Sequence, residues 1–410
     1  MSRPTRCFAL CALLFAPAAL AGGPKLVDEK RIFPEGDQSW YNERTHWPWM
    51  MRLSPDGKHL LCLKRLAAAQ PADANRPRSS EPSWQIRLRE LATGKDTVLL
   101  EAWSAWETVY TRFDLFDPSG KTLLMPKHTQ IKKPETAQMT AVEQRMELLL
   151  YDVASGKITR TPLAGARVWA KFDRTGKRLI LNHVDRSGEG MDEAGPIIYT
   201  ATLPKLELKP LRARGFPYSV CPTADVVNVF APPKRVRRDP GDPRAKRPEP
   251  KLILYDFAAD KQLAELPSEK PSSSWHDWES QWTADGRYLY YPGAKDDTVQ
   301  TPEGPRQQTA TLSCIWDRIA GKRIATIDSA VAVGPGPTPT TMVLGSRGPE
   351  QKGMILHDAA SGKSWTLDPN VRVQHALGGA VVYIKPAPDG KEAAYVARIV
   401  MAADAKPSGR

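Results

Sequence analysis

Cysteine is scarce in this chain, histidine is scattered, and no stretch approaches the ~18 consecutive apolar residues that a membrane-spanning helix requires. Beyond residue 21 only Cys62, Cys221 and Cys314 remain, an odd and widely spaced set that makes a poor disulfide framework. They read as small buried strand residues. The seven histidines show neither His-x-x-x-His nor His-Glu-x-x-His spacing, so a zinc site has no support. There is no Gly-x-Ser-x-Gly nucleophile elbow and no glycine-rich phosphate cradle, and the Asp-Gly turns lack the alternating carboxylates of a calcium loop. No cofactor is expected.

An excess of one charge is present, but it is local. The formal net charge is +12, of which Arg3 and Arg6 contribute two. Residues 232–251 hold eight Lys/Arg against Asp239, Asp242 and Glu249, another +5. The remainder is thin, which argues against a nucleic-acid partner. This Pro-rich basic stretch reads as a solvated insertion.

The first 21 residues have the pattern of a secretory signal peptide: Arg3 and Arg6, a short apolar run from Cys7 to Phe15, and Ala19-Leu20-Ala21 for cleavage. A periplasmic or extracellular chain starting near Gly22 follows as an expectation.

What the sequence has in abundance is a repeat. An apolar residue, a small polar residue, a turn ending in Gly, a basic residue and a strand recur as Leu53-Ser-Pro-Asp-Gly-Lys58, Phe116-Asp-Pro-Ser-Gly-Lys121, Phe172-Asp-Arg-Thr-Gly-Lys177, Trp282-Thr-Ala-Asp-Gly-Arg287 and Pro386-Ala-Pro-Asp-Gly-Lys391. Weaker copies stand at 221–225 and 333–344. A second hairpin alternates with the first, as in Leu88-Arg-Glu-Leu-Ala-Thr-Gly-Lys95 and Leu150-Tyr-Asp-Val-Ala-Ser-Gly-Lys157. Asp-Gly and Ser-Gly close such hairpins because glycine accepts the positive φ of the turn. Two hairpins per unit of about 55 residues make a four-stranded sheet, the signature of a propeller blade. The fold expected is all-β, a seven-bladed β-propeller of four-stranded antiparallel blades. It occupies 46–400, and 401–410 form a flexible tail. The last repeat, taken as 381–400, stops after two strands, and residues 22–45 are expected to close the ring.

The Ser-Pro-Asp-Gly-Lys phrase followed by a strand resembles the repeats of TolB-like periplasmic proteins. It is also similar to the propeller that precedes the catalytic domain of dipeptidyl-peptidase and prolyl-oligopeptidase enzymes. The resemblance spans about 45–400 and implies architecture; the N-terminal α/β domain of TolB proteins has no counterpart here.

Both repeated turns close on one face of the disc, and the long connections emerge on the other. These are 64–83, 127–145, 185–195, 232–251 and 293–308, and they mark the loop face as the working surface. Aromatics recur where each innermost strand begins, at Trp49, Phe113, Trp169, Tyr218, Trp278 and Tyr383, a regularity that suits packing between blades. The non-repeating residues nearby are the candidates for ligand binding at the channel mouth: His46, Trp47, Trp106, Glu107, His276, Asp277 and His375. Aromatic faces with His and carboxylate suit a sugar or peptide. The expected function is a monomeric binding or scaffold protein that engages an envelope protein or polysaccharide. The alternative is a hydrolase or lyase using Asp277, His276 and Glu107.

Overall fold

The computed structural model describes residues 23–37, 39–42, 47–48, 51–66, 84–102, 116–132, 142–163, 167–184, 191–192, 195–232, 250–267, 280–301, 304–346 and 353–401. Strands account for nearly all of its regular structure, and no helix occurs among these residues.

Chain order runs through β1 (Lys25–Arg31) and the short pair β2 (Tyr41–Asn42) and β3 (Trp47–Pro48) before the first blade. That blade is β4 (Met51–Leu53), β5 (His59–Arg65), β6 (Trp84–Glu90) and β7 (Asp96–Ala102). The second holds β8 (Thr122–Lys132), β9 (Val142–Asp152) and β10 (Ile158–Leu163), with a Phe116–Leu123 bridge at its inner edge. The third comprises β11 (Arg167–Phe172), β12 (Arg178–Val184), a small β13 (Met191–Asp192), β14 (Gly195–Thr202) and β15 (Glu207–Arg214). The fourth is β16 (Phe216–Val220), β17 (Val226–Ala231), β18 (Lys251–Asp256) and β19 (Lys261–Leu266). Next come β20 (Gln281–Trp282), β21 (Tyr288–Thr301), β22 (Gly304–Asp317) and β23 (Lys322–Asp328), then β24 (Ala330–Pro335), β25 (Thr341–Ser346), β26 (Met354–Asp358) and β27 (Lys363–Asp368). The seventh sheet contains β28 (Arg372–Leu377), β29 (Ala380–Pro386), β30 (Glu392–Val400) and, as its outer strand, β1. The chain is a seven-bladed β-propeller.

Each blade is apolar on both faces because it packs between two others, so its middle strands read as continuous buried runs. Leu60–Leu63, Leu123–Met125 and Leu179–Leu181 are all under 2% exposed. Cys62, Cys221 and Cys314 are buried and form no disulfide, and burial pushes the Cys62 thiol up to about 12. Polar groups cross the seams at matching places. Asn182 Nδ2 donates to the Gly215 carbonyl at 2.7 Å, where the fourth blade begins, and Asn228 Nδ2 donates to Ser280 Oγ at 2.5 Å, where the fifth begins. Ser313 Oγ donates to the Ala330 carbonyl at 2.8 Å, at the start of the sixth. Trp169, on an innermost strand as expected, meets Phe216 of the next blade edge-on at 4.6 Å.

The inner turns interlock around one face. Arg174 and Arg178 reach Asp225 at 3.0 and 3.3 Å, the Thr223 hydroxyl donates to the Asp285 carbonyl at 3.0 Å, and the Asp285 N–H donates to the Pro339 carbonyl at 3.1 Å. Gly286 is obligatory twice over: its φ is +65°, and a Cβ there would lie 2.2 Å from Thr223 Oγ1. Asp173 is fully buried beneath this ring; burial works to raise its pKa, but hydrogen bonds from Arg178 and Thr175 hold the carboxyl below its usual range.

The seventh blade corrects the phase of the repeat. The inner strand is β28, and it joins β29 through Gly378-Gly379, so three strands of the blade come from 372–400 rather than two from 381–400. The Asp389-Gly390 turn therefore links the second and third strands and lies on the opposite face from its look-alikes. Tyr383 likewise sits on the second strand, not the innermost, and stacks on Tyr395 at 6.0 Å. A turn motif specifies a hairpin but carries no information about which hairpin of the blade it closes.

Candidate binding face

Alternation of antiparallel strands puts every second-to-third connection on the face away from the interlocked turns. Two of these connections are tall ribbons. In the fifth blade β21 and β22 pair without interruption from Tyr288↔Asp317 to Thr301↔Gly304, 14 residues each, where β25 and β26 have six and five. At ~3.3 Å per residue the additional length carries this ribbon roughly 25 Å past a standard blade. The second blade does the same on a smaller scale, with 11-residue strands paired out to Lys132↔Val142. The stretch 293–308, read from sequence as an irregular loop, is thus largely a β-ladder, and so is much of 127–145. Its strand signal was hidden because Lys295-Asp-Asp-Thr-Val-Gln-Thr301 and Gly304-Pro-Arg-Gln-Gln-Thr309 are polar at nearly every position, which removes the apolar alternation. Ribbons on the second and fifth blades stand on opposite sides of the channel axis and bound the loop face between them.

Two of the seven candidate residues from sequence, Trp47 and His375, belong to the described residues. His46, Trp106, Glu107, His276 and Asp277 lie outside the described residues. Their positions in the chain are bracketed by β2 and β3, by β7 and Phe116, and by β19 and β20. Trp47 belongs to β3, where its backbone pairs with Asn42. His375 is on β28, and its Nδ1 accepts the Leu53 N–H at 3.1 Å across the seam between the last and first blades. Burial, with Arg52 adding to it, pushes His375 down to about 3, so the ring is neutral and its proton sits on Nε2. A neutral imidazole with one nitrogen taken can still donate one hydrogen bond to a ligand; it does not serve as a base through Nδ1.

The innermost strands carry charged residues as well as aromatics. Arg52, Lys171, Ser219 and Gln281 occupy equivalent positions, two before the residue that opens each inner turn: Ser54, Asp173, Cys221 and Thr283. The equivalent residue of the sixth blade is Gly334, where a Cβ would fall 1.9 Å from the Ala376 carbonyl oxygen of the seventh. Inner strands thus crowd one another at this level, where the innermost strands carry two cations and two neutral polar residues. The sequence signal was a cation interrupting an apolar strand, in Met51-Arg-Leu53 and Ala170-Lys-Phe172.

No protein-family model matches the chain, and no curated protein sequence matches it. Solved structures do. An oligogalacturonate lyase in complex with manganese is 12% identical, with a TM-score of 0.53, over 92% of this chain and 98% of its own. The oligogalacturonate lyase of Vibrio parahaemolyticus gives 0.50 at 12% identity, over the same shares of the two chains. TolB from Acinetobacter baumannii is 17% identical over 68% of this chain and 54% of its own, with a TM-score of 0.39. What is shared is the propeller. Among the described residues no group of three or more His, Cys, Asp or Glu is placed to share a metal ion.

Proposed function

We propose that this chain is an exported binding or scaffold propeller of the periplasm or cell exterior, and that it engages an envelope protein or polysaccharide through its loop face. The observation that carries this reading is the contrast between the two faces. One is stitched shut by short turns that hold one another; the other raises two ribbons around a channel mouth. Rigid scaffold on one side and variable extensions on the other is how propellers present binding surfaces. His46, Trp47, Trp106, Glu107, His276, Asp277 and His375 are proposed to line the mouth, with aromatic residues supplying contact area and His or carboxylate fixing orientation. The test is affinity capture from envelope extract with residues 22–410, run beside a glycan array. A specific partner lost in the Trp106→Ala/His276→Ala double variant supports the reading; unchanged retention by that variant sinks it.

The second reading is a polysaccharide lyase or hydrolase that uses His276, Asp277 and Glu107. It is favoured by one observation, a fold shared over 92% of the chain with an oligogalacturonate lyase. Formation of an unsaturated product from oligogalacturonate, followed by ultraviolet absorbance with and without manganese, decides between the two. Turnover that is abolished in His276→Ala would establish the enzyme.

A further inference from the structure

The seam between the third and fourth blades holds a groove that the loop-face reading does not use. Its volume is about 460 Å³, within the roughly 300–1,000 Å³ of small-molecule sites. The floor is Tyr255 and Ile253, only 3% and 7% exposed, and the walls carry Arg212, Arg214, Lys251 and Lys261 against Asp260 and Glu265. Four cations and two acids leave the lining with a formal charge of +2.

The arrangement of these charges is built rather than scattered. Asp260 stands where the other second hairpins have Gly94, Gly156, Gly321 and Gly362, and it adopts their left-handed backbone, with φ 50°. An aspartate there costs on the order of 1 kcal/mol, so its side chain has something to do. Its carboxylate accepts the Tyr255 hydroxyl at 2.5 Å and the Arg212 backbone N–H at 2.9 Å, and it pairs with the Arg212 guanidinium at 3.6 Å across the seam. Burial and this bond push Tyr255 up to about 12, which keeps the phenol protonated as the donor. Higher along the groove, Arg214 Nη1 donates to the carbonyls of Leu211, Arg212 and Ala213 at 2.7, 3.1 and 3.0 Å, which fixes the guanidinium in place. Lys251 pairs with Glu265 at 2.8 Å, but both side chains are about half exposed, so an incoming anion can compete.

We infer that this groove is a binding site for an anionic saccharide whose carboxylate or phosphate groups meet Arg214, Lys251 and Lys261. A fixed guanidinium reads a planar carboxylate or a phosphate through paired N–H donors. The sugar hydroxyls face Gln262 and Glu265 at the rim. A flat apolar ligand gains little here, because the aromatic floor is almost wholly covered. The groove is open along the seam, a shape that accepts a segment of a chain. Ala231 and Lys251, where the chain leaves and re-enters the basic stretch 232–251, both lie on the groove.

The full chain is titrated with a hexameric polyuronate, a neutral hexasaccharide of equal length, inorganic phosphate and hexaglutamate. Binding of the polyuronate without the neutral sugar is expected, with affinity falling as salt rises. Arg214→Gln and the Lys251→Gln/Lys261→Gln pair are each expected to weaken it about tenfold or more. The two lysines are exposed, and an unchanged melting temperature for the pair shows that the fold is intact. Displacement of the polyuronate by inorganic phosphate assigns the recognised group to phosphate; failure to displace assigns it to the sugar carboxylate. The inference is overturned if the neutral sugar or hexaglutamate binds equally well, or if the lysine pair changes nothing. Trp106→Ala/His276→Ala must bind the polyuronate like the parent, which separates this site from the channel mouth.

Discussion

The seam between the seventh and first blades is held differently from the seam between the third and fourth. Between the third and fourth blades the chain runs directly from β15 into β16, and Asn182 and the Arg178–Asp225 pair add to a connection that already exists. Between the seventh and first no such short connection exists, and the joint depends on strand β1 and the segment after it. Val400 pairs with Lys25 and Tyr395 with Arg31. Glu29 accepts the Tyr383 hydroxyl and pairs with Lys385 at 2.7 Å, and Lys30 Nζ donates to the carbonyls of Leu91 and Ala92 in the first blade at 2.8 and 3.1 Å. Phe33 and Trp40 then stack at 5.2 Å above Met51, Leu53 and Leu60, with Arg89 over the Phe33 ring at 4.9 Å. The direct link from β15 to β16 leaves little chain to order at that seam. The closing seam is spanned by the longer stretch between β1 and β4, and it adds a buried aromatic pair, the β1–β30 pairing and several charge-assisted bonds.

That contrast can be broken at several strengths. Removing residues 22–45 takes away the strand and the aromatic pair together and is expected to lower the melting temperature by about 10 °C or more. A truncated chain that melts with the parent would remove the distinction between the seams. Trp40→Ala is expected to cost ~3–5 kcal/mol by denaturant unfolding, since the indole is 2% exposed and nothing can fill its place.

His375 sharpens the comparison through pH. Its pKa is about 3 when folded and about 6.5 otherwise, so the unfolded chain takes up the proton first. The stability it confers is full above about pH 6.5 and declines as pH falls toward 3. Melting temperatures measured across that window should fall less steeply for His375→Gln than for the parent. Below about pH 4 both should also lose the contribution of Asp173 and its relatives, whose carboxyls are held low in the fold. The smallest effect is expected at Arg398→Ala. Its 2.9 Å pair with Asp28 is about two-thirds exposed on both sides, so denaturant unfolding should shift by no more than about 0.5 kcal/mol.

The architecture was legible because its punctuation is chemical. Gly57, Gly120, Gly176 and Gly286 adopt the positive φ that their Asp-Gly, Ser-Gly and Thr-Gly contexts announce. The phase of the last blade was not legible. Gly378-Gly379 closes a first hairpin without the phrase that Asp56-Gly57-Lys58 carries in the first blade, while Asp389-Gly390-Lys391 imitates that phrase at a different hairpin. The tall ribbon of the fifth blade was missed for a related reason, since residues 295–309 are polar at nearly every position and leave no apolar alternation to read. At the site, Arg52 and Lys171 were visible as breaks in apolar strands. Asp260 was visible as an aspartate in a glycine's place. Neither break says what lies across the seam, because the partner, a neighbouring inner strand or Arg212, comes from another repeat or another blade.

Closure by β1 also sets an order of events along the chain. The strand nearest the start of the chain finds its partner only in β30, nearly the whole length of the protein later. A chain delivered N-terminus first must therefore carry an unsatisfied strand edge until its last blade arrives. Blades two to six can assemble as they emerge, each on the one before. The ring becomes a ring at a single late moment, when Lys25 meets Val400.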